Sequence, residues 1–337
     1  MKTAVGDVTI RWIGREYEDL DEPVEFTTSM LEARSNRFAS ALERHRIPGG
    51  SVVATLLGRV PDLYVAALGS AKAGCVFAAL DASDGRDLIA DQLRTASASV
   101  VITTPTLFRR ALSPILDRLP DIDLVLICGA SEDQTAQSTF RLTGRPDVMS
   151  CGAFLSRGTD DVSGVPADLD APAQWHFPIG ASSAPPAVLR THRDVAEHDE
   201  AIHRLLDVHG GETYWCTADR GWPTGATDGV TATLASGITS IVDEADFDAG
   251  RWLHILRHQH VELLHTSVAA LRRLREAAVA HHGAPSPFDL RVVATVGDRL
   301  DRATETWAQS FFRAPVLDLS QHSADGRIAG GFIRHTA

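Results

Sequence analysis

The chain has 337 residues, 44% of them hydrophobic and 23% charged, with a formal net charge of −12. That is the composition of an ordinary globular chain, long enough for two lobes that share a core. The acidic balance argues against sequence-independent nucleic-acid binding, which needs a basic face, and against docking on anionic lipid.

The opening, MKTAVGDVTIRW, holds no apolar run of secretory-signal length. The most apolar stretch, YVAALGSAKAGCVFAAL, is broken by Lys72 and two glycines. It is also shorter than the roughly 20 residues of a membrane span. A cytoplasmic protein without a membrane segment is the expectation. Cys75, Cys128, Cys151 and Cys216 show no CxxC spacing, so buried reduced thiols are expected rather than a metal site.

Ser29 and Glu32 form an S-x-x-E pattern, and Leu31, Ser35, Phe38 and Leu42 fall on one face. The spacing predicts an amphipathic helix over 29–45, ended by Pro48, Gly49 and Gly50. SVVATLL (51–57) reads as a buried parallel strand. Pro61 suits the first turn of the next helix and Gly74 its end. The alternation continues through CVFAAL, a helix near 84–96, SVVIT, a helix near 106–118 and IDLVLIC. From Gly129 to about Pro172 the chain turns polar and glycine-rich, with a short helical piece near CGAFLSRG, and reads as a passage between lobes.

A second alternating set follows. Its strands lie near WHFPI, GITSIV, VELLH, LRVVATV and PVLDLS, and its helices near 191–208, 224–235, 248–259, 267–281 and 301–312. The expected fold is α/β, with two doubly wound, mainly parallel lobes over 1–170 and 171–337 and a cleft between them.

At this point the sequence resembles the adenylate-forming superfamily, in its acyl- and acetyl-CoA synthetase branch. The residues that carry the resemblance are EFTTSMLEARSNRFASALERHRI, GSVVATLLGRVPDLYVAALGSAKAGCVFAALD, YWCTADRGWPTG, FDAGRWLHILRHQHVELLHTSVAALRRL and TVGDRLDRATETWA, in the family's order. The resemblance implies a two-lobed N-terminal domain of an ATP-dependent acid–CoA ligase. It also implies AMP, ATP or an acyl-CoA as ligands, and a small carboxylic acid as substrate.

The same resemblance exposes departures. The family's phosphate loop, T-S-G-[ST]-T-G-[KR]-P-K-G, falls on Pro178, Ile179, Gly180, Ala181, Ser182, Ser183, Ala184, Pro185, Pro186 and Ala187. Such loops surround phosphate oxygens with backbone N–H groups and small hydroxyls. Ile179 and Ala181 remove hydroxyls, and Pro186 removes a lysine charge and an N–H. The pattern D-T-W-W-[QM]-T-E-T-G falls on 318–326, so Ser323 stands at its threonine and Ala324 at the glutamate that holds magnesium. Asp325 is the neighbouring carboxylate. Family members continue beyond this point into a small domain with a catalytic lysine, while this sequence ends at Ala337. Magnesium is therefore not expected.

The resemblance places Asp219, Gly221 and Trp222 in an acyl pocket. It places Gly180, Ser182, Gly297, Asp298, Asp318 and Ser323 in a remnant nucleotide site. Among the 14 histidines, His192, His265 and His322 are candidates for a general base. The pairs in HQH (258–260) and HH (281–282) lack an i, i+4 acidic partner, so no metal is expected there.

The leading expectation is an acyl-CoA-synthetase-like domain without ordinary adenylation, binding a small ligand or a protein partner. The alternatives are acyl transfer or amide formation through the acyl cleft, and a ligase completed by a separate C-terminal domain. Ile328, Phe332 and Ile333 would either fold back or contact another chain, giving a homodimer or a hetero-complex.

Overall fold

The computed structural model of the chain describes residues 8–16, 19–129, 146–162, 168–177, 187–217, 237–280 and 288–319. The first sheet is built from β3 (Val52–Leu56), β4 (Val76–Ala79), β5 (Ala98–Thr103), β6 (Leu124–Ile127), β7 (Asp147–Ser150), β8 (Pro172–His176) and β9 (Val188–Thr191). Its order is β7-β6-β5-β3-β4-β8-β9. All neighbours run parallel except the edge pair β8–β9.

The second sheet has the same plan. It contains β1 (Val8–Ile13), β2 (Val24–Thr27), β10 (Thr213–Cys216), β11 (Thr239–Asp243), β12 (Leu263–Ser267), β13 (Val292–Val296) and β14 (Val316–Asp318). The order is β14-β13-β12-β10-β11-β1-β2, again parallel up to one antiparallel edge pair, β1–β2. The N-terminal hairpin therefore completes the sheet made by the last third of the chain, while β8 and β9 complete the first.

Continuous apolar runs explain the parallel core. A strand covered on both faces must be apolar at successive positions, and alternate side chains then enter opposite layers. Val53, Phe77, Val100 and Leu124 pack on one face of the first sheet. Val52, Val76, Val101 and Val125 pack on the other. The first of these layers also takes in Ile10, Phe26 and Val242 of the second sheet, so the two lobes share apolar contact through it.

Helices α1 (Thr28–Arg44), α2 (Pro61–Lys72) and α3 (Arg86–Thr95) lie close to their expected bounds. The cap of α1 differs from the S-x-x-E expectation: Thr27, not Ser29, is the N-cap, and its hydroxyl accepts from Met30 N. The helix starts one residue earlier because β2 delivers Thr27 in extended backbone, the conformation an N-cap needs. Gly69 lets α2 approach α1, since a Cβ there would lie 2.5 Å from Phe38 Cδ1. Lys72 Nζ crosses the same interface to Ser35 Oγ at 2.8 Å and Asn36 Oδ1 at 2.6 Å.

The stretch 105–118 is helical but irregular, with a wide π-type turn over Phe108–Leu112 and a tight 3-10 turn over Ser113–Arg118. Pro114 near that junction has no N–H for a regular ladder. The expected passage between lobes is corrected. Its end is β7 and a short helix α4 (Cys151–Ser156), and β7 pairs with β6 inside the first sheet. The remaining helices are α5 (His192–Leu206), α6 (Ala249–His258), α7 (Val268–Ala280) and α8 (Arg302–Phe312). The helix expected near 224–235 lies outside the described residues.

The expectation of reduced thiols is overturned for one pair. Cys128 follows β6, Cys151 follows β7, and a disulfide joins them with Cα atoms 5.0 Å apart. Parallel pairing of Ile127 with Ser150 brings these two strand ends side by side, which 23 residues of separation in sequence conceals. Cys75 keeps a buried thiol, pushed up to about 11 by burial.

Candidate functional site

In open parallel sheets, ligands bind beyond the carboxyl ends of the strands. Here those ends meet across the lobes. Arg59 follows β3, Thr217 follows β10, and Arg59 Nη2 donates to the Thr217 carbonyl at 3.1 Å. Thr217 is held in turn by β12: its N–H donates to His265 O at 2.8 Å and its hydroxyl to Thr266 Oγ1 at 2.7 Å. Thr217 thus links the segment after β3 to β12. Neither Arg59 nor Thr217 stood out in the sequence; the signal was only that Arg59 lies three residues beyond a buried strand and Thr217 directly follows one.

Three segments singled out from the sequence leave this region. Residues 178–186 lie in sequence between β8 and β9, whose last register pair is His176 with Val188. The segment 218–236 leaves β10 and 320–337 leaves β14. Gly180, Ser182, Asp219, Gly221, Trp222, His322, Ser323, Ala324 and Asp325 all fall in them, outside the described residues, as do Ile328, Phe332 and Ile333.

Gly297, Asp298 and Asp318 are described, and the fold brings them to one place. β13 and β14 pair in parallel with Thr295 opposite Asp318. Gly297 leaves β13 with φ +89°, a backbone that favours glycine. Asp318 Oδ2 accepts from Leu300 N at 3.2 Å, which ties the end of β14 to the turn after β13. Asp298 is exposed and lies 3.7 Å from Arg272 Nη1. Arg272 Nε also donates to Asp301 Oδ2 at 2.9 Å. The Thr304 backbone N–H, then Arg272, hold the Asp301 carboxyl well below the ordinary range. The turn after β13 thus carries the left-handed Gly297, the exposed Asp298 and the helix cap Asp301, with Asp318 of β14 tied to it through Leu300 N.

The candidate histidines are in different settings. His265 on β12 is fully buried, with its Nδ1 2.9 Å from Tyr214 Oη. His192 opens α5 directly after its N-cap Thr191, where Thr191 and Asp194 form a capping box. Its N–H donates to Ala171 O at 3.1 Å. His265 is in the second sheet, whereas His192 begins the helix that follows β9 of the first. A further buried imidazole, His176, ends β8. Its Nε2 is 3.1 Å from Gln174 Oε1, and burial, then Arg190 and His198, push it down to about 3.

One cluster was missed. Asp21 and two histidines of α6, His254 and His258, bring ligand-type atoms within 4.8 Å of one another. The signal was H-x-x-x-H in HILRH, two histidines about one helical turn apart, whereas the histidines of HQH are only two residues apart. Among the described residues, no helix is long and apolar enough to cross a membrane.

The family described as AMP-binding enzyme matches residues 8–319. The chain is 24% identical over 303 residues to acetyl-coenzyme A synthetase of Bacillus subtilis (strain 168), covering 90% of this chain and 51% of that protein. It is 27% identical over 339 residues to acetyl-coenzyme A synthetase of Halorhodospira halophila (strain DSM 244 / SL1), covering 96% and 51%. The crystal structure of Brucella canis acyl-CoA synthetase superposes with TM-score 0.77 at 23% identity, over 93% of this chain and 54% of that one. The chain thus spans about half the length of the relatives it matches.

Proposed function

Because the chain belongs to the AMP-binding enzyme family, we propose that it is a divergent acyl-CoA-synthetase-like domain that keeps a nucleoside-side site and has lost ordinary ATP-dependent adenylation. The observation that carries this is the sequence PIGASSAPPA at 178–187, together with Ala324. A phosphate loop works through free backbone N–H groups and small hydroxyls. This loop offers prolines at 178, 185 and 186 and no lysine. Attack at an α-phosphate needs charge neutralisation, and each lost electrostatic donor costs roughly 3 kcal/mol.

The adenine side is different. The left-handed Gly297 turn and the acceptor carboxylates of Asp298 and Asp318 support AMP as ligand, with an acyl group or a small carboxylic acid at Asp219, Gly221 and Trp222. When bound, ATP would supply the phosphoanhydride energy for acid activation. The residues present fit its nucleoside better than its phosphates.

The experiment is ATP–pyrophosphate exchange with a panel of carboxylic acids, alongside calorimetry with AMP, ATP–magnesium and acyl-CoAs. No exchange above a buffer blank is expected, with AMP bound at least as tightly as ATP–magnesium. Acid-dependent exchange, or ATP–magnesium bound much tighter than AMP, would overturn the reading.

A further inference from the structure

We propose that Asp21, His254 and His258 form a binding site for one divalent transition-metal ion of the zinc type. His254 and His258 are four residues apart on α6, so they project from one face. Their rings lie parallel, with centroids 4.1 Å apart and 6° between planes. Asp21, from the connection between β1 and β2, stands against both. Its Oδ1 is 2.7 Å from His254 Nε2 and 3.4 Å from His258 Nδ1. One carboxylate oxygen thus already meets two imidazole nitrogens, each from a different ring.

The distances suit a metal. Ligand atoms on a tetrahedral zinc ion with bonds of about 2.0–2.2 Å are separated by roughly 3.3 Å. The three atoms here lie within 4.8 Å of one another, so small rotations about side-chain bonds close the set. Two imidazole nitrogens and one carboxylate oxygen form a donor set suited to zinc, nickel or copper. Calcium and magnesium want oxygen ligands and are disfavoured. Three protein ligands leave a fourth position for water.

The carboxylate is delivered by folded chain. Asp21 N donates to Asp19 Oδ1 at 2.9 Å, which shapes the turn. Gln259 Nε2, just past the end of α6, donates to Leu20 O at 2.8 Å and holds the turn against the helix. α6 runs between β11 and β12, and Asp21 lies in the connection that leaves the carboxyl end of β1 and returns to β2 at Val24, opposite Trp12. The ion would join chain positions 21 and 254, a separation of 233 residues. It would fasten the N-terminal hairpin to the lobe it completes.

The test uses the full chain stripped with chelator and titrated with zinc, then with cobalt as a spectroscopic substitute. Expected are one zinc per chain, a raised melting temperature with zinc, and a cobalt visible spectrum of the tetrahedral kind. The double variant His254→Ala/His258→Ala should lose the bound equivalent and the thermal shift. Asp21→Asn, an exposed change that leaves packing alone, should weaken binding at least tenfold. His260→Ala is the control, because His260 pairs with Asp289 at 2.7 Å and shares neither ligand. It should bind zinc as the parent does. The proposal fails if the parent takes up no stoichiometric zinc, or if Asp21→Asn and the double variant bind as the parent does. Loss of binding in the control equal to that in the double variant would also overturn it.

Discussion

Arg251 and Asp243 form a nearly buried ion pair in which both Nε and Nη2 of the arginine donate to Oδ1 of the aspartate, at 3.0 and 2.7 Å. Their side chains are 12% and 3% exposed. Arg251 sits in the first turn of α6 and Asp243 ends β11. The same guanidinium reaches Gly14 O at 2.9 Å, just past β1. One arginine therefore fastens the N-terminal hairpin to the strand it pairs with.

Removing the carboxylate would leave a buried cation without its counter-charge, which costs about 3–5 kcal/mol. Asp243→Ala should lose that much stability in denaturant unfolding. Asp243→Asn should lose less, because it keeps an acceptor. Equal stability of all three proteins would show that the pair contributes nothing.

The Cys128–Cys151 bridge closes a short loop, separation 23, and chain-entropy reasoning gives it about 3 kcal/mol. Thiol titration in denaturant should count two thiols before reduction, those outside the bridge, and all four cysteines after it. Cys128→Ser/Cys151→Ser should unfold correspondingly earlier. Four reactive thiols without reductant would contradict the bridge.

His176 should make the fold acid-sensitive. The unfolded imidazole takes its proton near pH 6.5, whereas the buried one does so only near 3. Between those values the unfolded state binds more protons, so stability falls as pH falls from about 6.5 towards 3. One group supplies at most about 1.4 kcal/mol per pH unit. His176→Gln should flatten the stability profile in that window and leave it unchanged above pH 7. An identical profile would mean that the folded imidazole takes its proton at the same pH as the unfolded one.

Tyr214→Phe tests the setting of His265. Both residues are buried, and the change removes a hydroxyl 2.9 Å from Nδ1. Leaving a buried polar group without its partner costs about 1–3 kcal/mol. That loss in chemical unfolding is the expected result, and unchanged stability would show that the contact is not needed.

Gly69→Ala should be destabilising despite alanine's helix preference. The new Cβ would meet Phe38 Cβ at 2.9 Å as well as its ring, so the whole side chain must move. Overpacking costs roughly 1–3 kcal/mol, against about 1 kcal/mol regained in helix propensity. A higher melting temperature would show that α1 and α2 can separate freely.

Much of the fold could be read from the chain because parallel strands must be apolar on both faces. Val52–Leu56, Val76–Ala79 and Leu124–Ile127 announce themselves as short unbroken runs whatever their neighbours are. The altered phosphate loop and Ala324 were legible for a similar reason: they are chemical identities at fixed places in the sequence. The edge strand β2 and strand β7 were not legible, because their half-exposed residues have no strong period of their own. Pairings between distant residues were decided by tertiary structure alone. Cys128 meets Cys151 only because β6 and β7 run parallel in register. Arg59 meets Thr217 only because two sheets present their carboxyl ends to each other. Asp21 meets His254 across 233 residues of chain only because the N-terminal hairpin pairs with β11 and lays its turn on α6. A sequence pattern records which face of an element is apolar; which elements then become neighbours depends on how those faces are buried together.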